Sequence, residues 1–379
     1  MKFKDLAIMD DKKGVVLFTP HIPKSTASAL KKTLSTRWIG QGPMVDKFEK
    51  LFKKRFAGKY PCISTGSGTD ALHLSYILAG LKKGDEVITP VFTCTATNIP
   101  FLYMGVKIKF ADIDRNTLNI DPNSVRKLIT KKTKAVICVH YGGIPCKMDE
   151  LNKICKEYKI PLIADSAQSL GAKYNNIPLT EFSDFSTFSF QAIKHITTAD
   201  GGMLCFKKKI LEKKAKRIRW FGINRDKKQN GTWLNDIHEV GYKYQLNDIG
   251  ATIGVESLKE FNKILEHRKK IYSIYLQGLK NNKNIQCVHD YTQEGHAAWL
   301  FTILTNKKNY LQKKLREKNI ESGQVHFRND QYSIFRKFAK NKVFKNMDFV
   351  QNKYLVLPVH TKVKIDDAKY IVKLINKIL

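Results

Sequence analysis

Between residues 62 and 206 the chain alternates short apolar runs rich in β-branched residues with longer stretches of helical periodicity. That is the pattern of β-α-β units: strands covered on both faces read as continuous apolar runs, and the crossover helices carry the amphipathic stripe. Seven strands are expected, over 61–64, 86–89, 107–110, 135–139, 161–164, 185–189 and 202–206. Crossover helices are expected over 69–81, 95–104, 122–128 and 148–158, several closed by Gly or Lys-Gly stops. An amphipathic helix over 43–55 precedes this block, and a longer helical tract over 247–279 follows it. Beyond about residue 280 the strand signal reduces to Ala-Trp-Leu-Phe-Thr-Ile-Leu-Thr at 298–305. A helix over 308–318, a loop around His326 and Arg328, and a closing helix over 365–379 come after it. The expected fold class is α/β, a seven-stranded, mostly parallel sheet between helices with a smaller α+β domain at the C-terminus. The expected boundaries are 1–260 for the large domain with its N-terminal arm and 261–379 for the small one. No Gly-, Pro- or Ser-rich linker separates them, and no solenoid repeat is present.

Composition narrows the function classes. A chain of 379 residues with 42% hydrophobic residues, 21 Phe and 15 Tyr can bury a large core. Lys and Arg number 67 against 34 Asp and Glu, a formal net charge of +33. The basic runs, such as Lys207-Lys208-Lys209, Lys213-Lys214 and Lys307-Lys308, are scattered rather than gathered on one arm. They fit a solvated surface with some attraction for small anions, and no nucleic-acid partner is expected. The seven cysteines are odd in number and lie partly in apolar runs, as reduced thiols do in a cytoplasmic protein. Residues 1–11 are polar and charged, and nowhere do eighteen apolar residues run together, so neither a signal peptide nor a membrane span is expected. Cys138, His140, Cys146 and Cys155 fit no paired zinc frame, and no metal is expected.

Three segments carry candidate chemistry. Ser64-Thr65-Gly66-Ser67-Gly68-Thr69-Asp70 is a Gly-rich turn from strand to helix, whose backbone N–H groups suit a phosphate as well as they suit a plain tight turn. Pro161-Leu162-Ile163-Ala164-Asp165 is an apolar strand ending in a carboxylate, at the sheet edge where open α/β folds bind ligands. After the next strand comes Lys194, a single lysine among aromatic, aliphatic and hydroxyl residues, where desolvation would lower its pKa and favour a Schiff base. Each alone has a structural explanation. Together and in this order they answer the needs of pyridoxal phosphate: an anchor for the phosphate, an acid for the ring nitrogen and an amine for the aldehyde.

With these segments in place, the chain resembles the DegT/DnrJ/EryC1/StrS sugar aminotransferases, fold-type I enzymes that use pyridoxal phosphate. The resemblance includes Arg37-Trp38-Ile39-Gly40-Gln41-Gly42-Pro43, Ser67-Gly68-Thr69 with Ala71-Leu72-His73-Leu74, and Gly84-Asp85-Glu86-Val87-Ile88-Thr89-Pro90. It continues through 165–168, 194–202 and Gly241-Tyr242-Lys243-Tyr244. The resemblance implies that Lys194 carries the Schiff base and shuttles the proton, that Asp165 pairs with the pyridine nitrogen and that Gln168 meets the ring hydroxyl. It implies further that the Gly68-Thr69-Asp70 backbone and Ser189 bind the phosphate, and that a residue of 241–245 reaches the phosphate of the neighbouring subunit. A homodimer with composite sites is therefore expected. Lys243 stands where the family usually has Asn, and Cys94 where an aromatic ring usually covers the cofactor, with Phe92 the nearest substitute.

Glutamate is the implied amino donor, with pyridoxamine phosphate as the intermediate form. The implied acceptor is a nucleotide-linked 4-keto-6-deoxy sugar, for surface polysaccharide, as in perosamine synthase-like enzymes. A small phosphorylated ketone such as dihydroxyacetone phosphate is the alternative acceptor. An inactive relative acting as a basic binding or regulatory protein is the alternative of another class. His326 and Arg328, in Gln324-Val325-His326-Phe327-Arg328-Asn329-Asp330, are candidate substrate residues, Arg328 as a clamp for phosphate.

Overall fold

The computed structural model describes residues 13–225, 236–292 and 295–379; the sequence expectation for residues 1–11 lies outside them. Helices α1 (Thr26–Leu34) and α2 (Pro43–Phe52) lead into strand β1 (Cys62–Thr65) and helix α3 (Gly68–Leu78). The β-α-β block continues with β2 (Glu86–Pro90), α4 (Thr95–Met104), β3 (Lys107–Ala111), α5 (Pro122–Leu128), β4 (Thr133–Val139), α6 (Met148–Glu157) and β5 (Leu162–Asp165). A short hairpin of β6 (Lys173–Tyr174) and β7 (Ile177–Pro178) precedes β8 (Phe185–Ser189) and β9 (Gly202–Phe206). Then come α7 (Glu212–Arg219), α8 (Asp248–Lys259) and α9 (Phe261–Leu279). The C-terminal part holds β10 (Gln286–Val288), β11 (Phe301–Leu304), α10 (Lys308–Arg316), α11 (Lys345–Val350), β12 (Tyr354–Leu357) and α12 (Ile365–Ile378).

The main sheet has seven strands in the order β1-β9-β8-β5-β4-β2-β3. The run from β8 to β3 is parallel, each strand returning through a crossover, while β9 is antiparallel to both β1 and β8. The reversal has a local cause: residues 190–201 join β8 to β9 without a crossover helix, so the chain turns back beside the strand it left. Because β9 opposes both neighbours, β1 runs parallel to β8. The ends of β1, β5 and β8 and the start of β9 therefore lie at one edge of the sheet, and with them the turn after Thr65, Asp165, Ser189 and the Lys194 loop. The strands are covered on both faces, as β4 illustrates: Ala135 to Val139 are all buried.

The C-terminal strands form a separate antiparallel sheet in the order β10-β11-β12, against which α9 and α12 pack. Residues near the start belong to this unit in space: Val15 bridges Ile320, and His360 Nε2 meets the Val16 carbonyl at 2.8 Å. The expected tract over 247–279 is two helices, broken at Glu260, whose carboxylate is held by His21 at 2.7 Å. Helix α7 was not expected because Glu-Lys-Lys-Ala-Lys-Arg-Ile-Arg offers almost no apolar stripe to read, although Ala215 and Ile218 are buried. All seven cysteines are free thiols. Among the described residues no helix is long and apolar enough to cross a membrane.

Candidate active site

The turn after β1 is built to present backbone donors. Ser67 caps α3, its Oγ accepting the Asp70 N–H at 3.0 Å, and the Thr65 hydroxyl donates to the Ser67 carbonyl at 2.8 Å. Asp70 N–H is thereby taken, which leaves Gly68 and Thr69 as the free donors of the first turn, where the helix dipole favours an anion. Gly68 has a packing reason: a Cβ there would lie 2.8 Å from Cβ of Ser189. Gly202 has a stronger one, since its Cβ would come within 2.3 Å of the Ser67 carbonyl oxygen. The two glycines press this turn against the end of β8 and the start of β9, so Ser189 lies directly beside the α3 N-terminus. The Asp70 carboxyl is pushed up to about 6, chiefly by burial, against hydrogen bonds from Ser67.

Asp165, at the end of β5, is 4% exposed. Its Oδ2 accepts the Thr97 hydroxyl at 2.7 Å and its Oδ1 the Ala167 N–H at 3.1 Å. Burial raises its pKa against these two donors and against the charge of Lys194. Gln168 Oε1 accepts the Gly142 N–H at 2.7 Å, and its Nε2 meets His326 Nε2 at 2.9 Å. Gln168 can only donate there, so His326 carries its proton on Nδ1, and one Gln168 N–H is left over. Burial and the charge of Lys194 hold His326 far below the usual imidazole range, at about 3.

Lys194 sits half-buried in the loop between β8 and β9, its Nζ 3.9 Å from the ring centroid of Trp299. Burial pulls its ammonium down to about 8, with Arg268 adding to the effect and Cys94 and Asp165 opposing it. Trp299 is fixed from below: its Nε1 donates to the Ile193 carbonyl at 3.2 Å, and the His326 ring lies nearly parallel to it at 6.4 Å. Trp299 and Thr97 were not singled out by sequence. Trp299 falls in a run that reads as a core strand, and Thr97 in one that reads as a helix.

Asp165, Gln168, Lys194 and His326 are thus gathered around one space, with Gly68, Thr69 and Ser189 at its edge. One candidate is placed otherwise. The Arg328 guanidinium is 5% exposed and spent within the fold, through two bonds of 2.7 Å to Asp330, one to Asp348 and one of 2.8 Å to Gln351. The expected phosphate clamp is corrected to a structural tie between the 326–330 loop and α11. Arg328→Ala should lower stability by about 3 kcal/mol, because it strands the largely buried carboxylate of Asp330, and denaturant unfolding would measure it. Lys243 lies outside the Lys194 cluster, with its Nζ 3.7 Å from the Trp220 ring centroid. Phe92 is 1% exposed and locked among Tyr141, Tyr354 and His326, whereas Cys94 is exposed. Phe92 is therefore part of the floor, and the position of Cys94 is open.

The chain is similar to known proteins over nearly its whole length. The family model for the DegT/DnrJ/EryC1/StrS aminotransferases matches residues 20–376. The chain is 34% identical to the uncharacterized protein MJ1066 of Methanocaldococcus jannaschii, over 96% of this chain and 97% of that protein. It is 32% identical to the UDP-4-amino-4,6-dideoxy-N-acetyl-beta-L-altrosamine transaminase of Campylobacter jejuni, over 93% and 94% of the two chains. The structure of Helicobacter pylori PseC, an aminotransferase of pseudoaminic acid biosynthesis, superposes with a TM-score of 0.90 at 25% identity, covering 97% of this chain and 99% of the other. Sheet order, site geometry and a match over nearly the whole chain lead to one conclusion: this protein belongs to the DegT/DnrJ/EryC1/StrS aminotransferase family.

Proposed function

We propose that this protein transfers an amino group from glutamate to a keto sugar, a nucleotide-linked 4-keto-6-deoxy sugar for surface polysaccharide, with pyridoxal phosphate as cofactor. The observation that carries the reading is the convergence of a half-buried amine at Lys194, a buried carboxylate at Asp165 and an anion-binding turn at Gly68 and Thr69 on one sheet edge. The residues fit the group. The close packing at Gly68 leaves the first N–H groups of α3 beside the Ser189 hydroxyl, a donor set for a phosphate. Asp165 has two donors already and would give its remaining acceptor capacity to a protonated ring nitrogen.

Bound there, pyridoxal phosphate supplies an aldehyde for amines and a ring that takes up the electron pair released when a substrate Cα loses its proton. Asp165 would hold the ring nitrogen protonated, and the remaining Gln168 N–H would be available to the ring hydroxyl oxygen. With the cofactor bound, the freed Lys194 Nζ would be the group that takes up the substrate Cα proton and hands it back on the same face. At pH 7 an amine titrating near 8 is neutral for about a tenth of the time, enough to act as a base without losing its role as an acid. Competitive labelling of amines in the cofactor-free protein should find Lys194 half-reacted near pH 8, about two units below an exposed lysine.

Dimerisation is proposed on the exposed apolar residues around the 241–245 segment. Trp38, Ile39, Phe221 and Val240 are 44, 51, 43 and 77% exposed, more apolar surface than a solvated face needs. Arg225 ties the first pair's segment to the second through Gln41 at 2.9 Å. Sedimentation at several concentrations checks the dimer. The function is tested by recording the visible spectrum with pyridoxal phosphate and then adding glutamate. The lysine-bound band should give way to the pyridoxamine form, and a screen of nucleotide-linked keto sugars should restore it. A protein that binds no chromophore would bring the basic-surface reading forward.

A further inference from the structure

Behind Asp165 runs a buried chain of polar side chains whose direction can be worked out by elimination. Asn329 Nδ2 lies 2.7 Å from the Thr93 carbonyl oxygen and 3.1 Å from that of Phe327. Both carbonyls only accept, so the amide must present its NH2 there and its Oδ1 to Asn98 Nδ2, 2.8 Å away. Asn98 then donates, and its Oδ1 takes the Thr89 hydroxyl proton at 2.9 Å. On the other arm Thr97 has one proton, and an ionised Asp165 can only accept it. The Thr93 hydroxyl, 2.9 Å from Thr97 Oγ1, must therefore donate to Thr97. The two arms meet at Thr93, whose carbonyl is held by Asn329 and whose hydroxyl feeds Thr97.

Thr89, Thr93, Thr97, Asn98 and Asn329 are each at most 1% exposed. Bulk water does not reach them, so a lost partner is not readily replaced. The ionisable groups facing Asp165 are Lys194, His140, Cys138 and Tyr76, from the Lys194 loop, the end of β4 and α3. Burial keeps His140 in its uncharged form and raises the Tyr76 pKa, and the hydrogen bond to Cys146 together with burial raises that of Cys138, so Lys194 is the charged neighbour.

We propose that Thr97 and Asn329 are positioning residues for Asp165: Thr97 holds the carboxylate ionised and aimed, and Asn329 fixes Thr97 through Thr93. The inference rests on the cofactor reading above. It gives the 326–330 loop a second task, since the loop that brings His326 to Gln168 also anchors, 231 residues away in sequence, the helix start that serves Asp165.

The test uses the intact protein loaded with pyridoxal phosphate, as Thr97→Val, Thr97→Ser and Asn329→Ala. Thr97→Val should keep cofactor affinity and glutamate KM within about threefold, yet slow the glutamate half-reaction by about tenfold to a hundredfold, the effect of losing one hydrogen bond to a charge. The pH midpoint of its visible band should move, because a weakened Asp165 no longer keeps the ring nitrogen protonated. Thr97→Ser should restore both. Asn329→Ala should move the band in the same direction by less, and it keeps the test alive if Thr97→Val does not fold. A Thr97→Val or Asn329→Ala protein with the wild-type band and rate overturns the inference, as does Thr97→Ser behaving like Thr97→Val. A wild-type protein with no band overturns the cofactor reading itself, and this inference with it.

Discussion

Lys194→Ala is expected to lower turnover by about four orders of magnitude or more, since it removes both the covalent attachment point and the group that moves the Cα proton. Binding should survive. The α3 N-terminus, Ser189 and Asp165 are untouched, and the loop keeps its shape through backbone bonds that do not involve the side chain. Phe190 N–H meets the Gly201 carbonyl at 2.8 Å, Thr198 N–H the Phe190 carbonyl at 3.0 Å, and Lys194 N–H the Gln191 carbonyl at 2.9 Å. The variant should therefore hold pyridoxal phosphate reversibly, with the spectrum of a free aldehyde, and lose it on gel filtration. Turnover within tenfold of wild type would end the assignment of Lys194.

Asp165→Asn is the second large effect. The change is nearly isosteric, so packing is spared, but the site loses its charge and one of its acceptors. The Thr97 hydroxyl and the Ala167 N–H both donate to Asp165, and an amide can accept on one side only. The NH2 group then faces Thr97, whose hydroxyl must turn its proton to Thr93, so the buried hydroxyl pair is reversed. Without a carboxylate the ring nitrogen is not held protonated, and the glutamate half-reaction should slow by about a hundredfold to a thousandfold, as when a key electrostatic group is removed. Stopped-flow measurement of the band's decay checks this. A rate equal to that of wild type would mean that the ring nitrogen is served by another group.

The two predictions differ in how they could be reached. Lys194 and Asp165 stand out along the chain because one lies in the loop just beyond a strand and the other ends a strand, and strand ends in a β-α-β pattern fall on one sheet edge whatever the details of packing. The same holds for the Ser67-Gly68-Thr69 turn. Arg328 reads equally well as a phosphate clamp or as a surface charge of a loop until its surroundings are known. Its partner Asp348 is 20 residues away and on another element, and no local pattern pairs them. His326, two positions earlier in the same loop, does enter the site, because its ring fits between Gln168 and Trp299. Trp299 is invisible as a site residue for a similar reason: an apolar run reads as core, and whether one of its rings borders a cavity depends on what packs opposite.

By itself the sequence determined the strand and crossover order and the sheet edge to which Lys194, Asp165 and the Ser67-Gly68-Thr69 turn belong, since all of these follow from short-range periodicity and from what each residue type can do. The tertiary structure decided which side chains complete the site and which are spent elsewhere. Thr97 reaches Asp165 across 68 residues and Asn98 reaches Asn329 across 231. Buried polar groups must find partners wherever the fold brings them, and only the folded chain sets those distances.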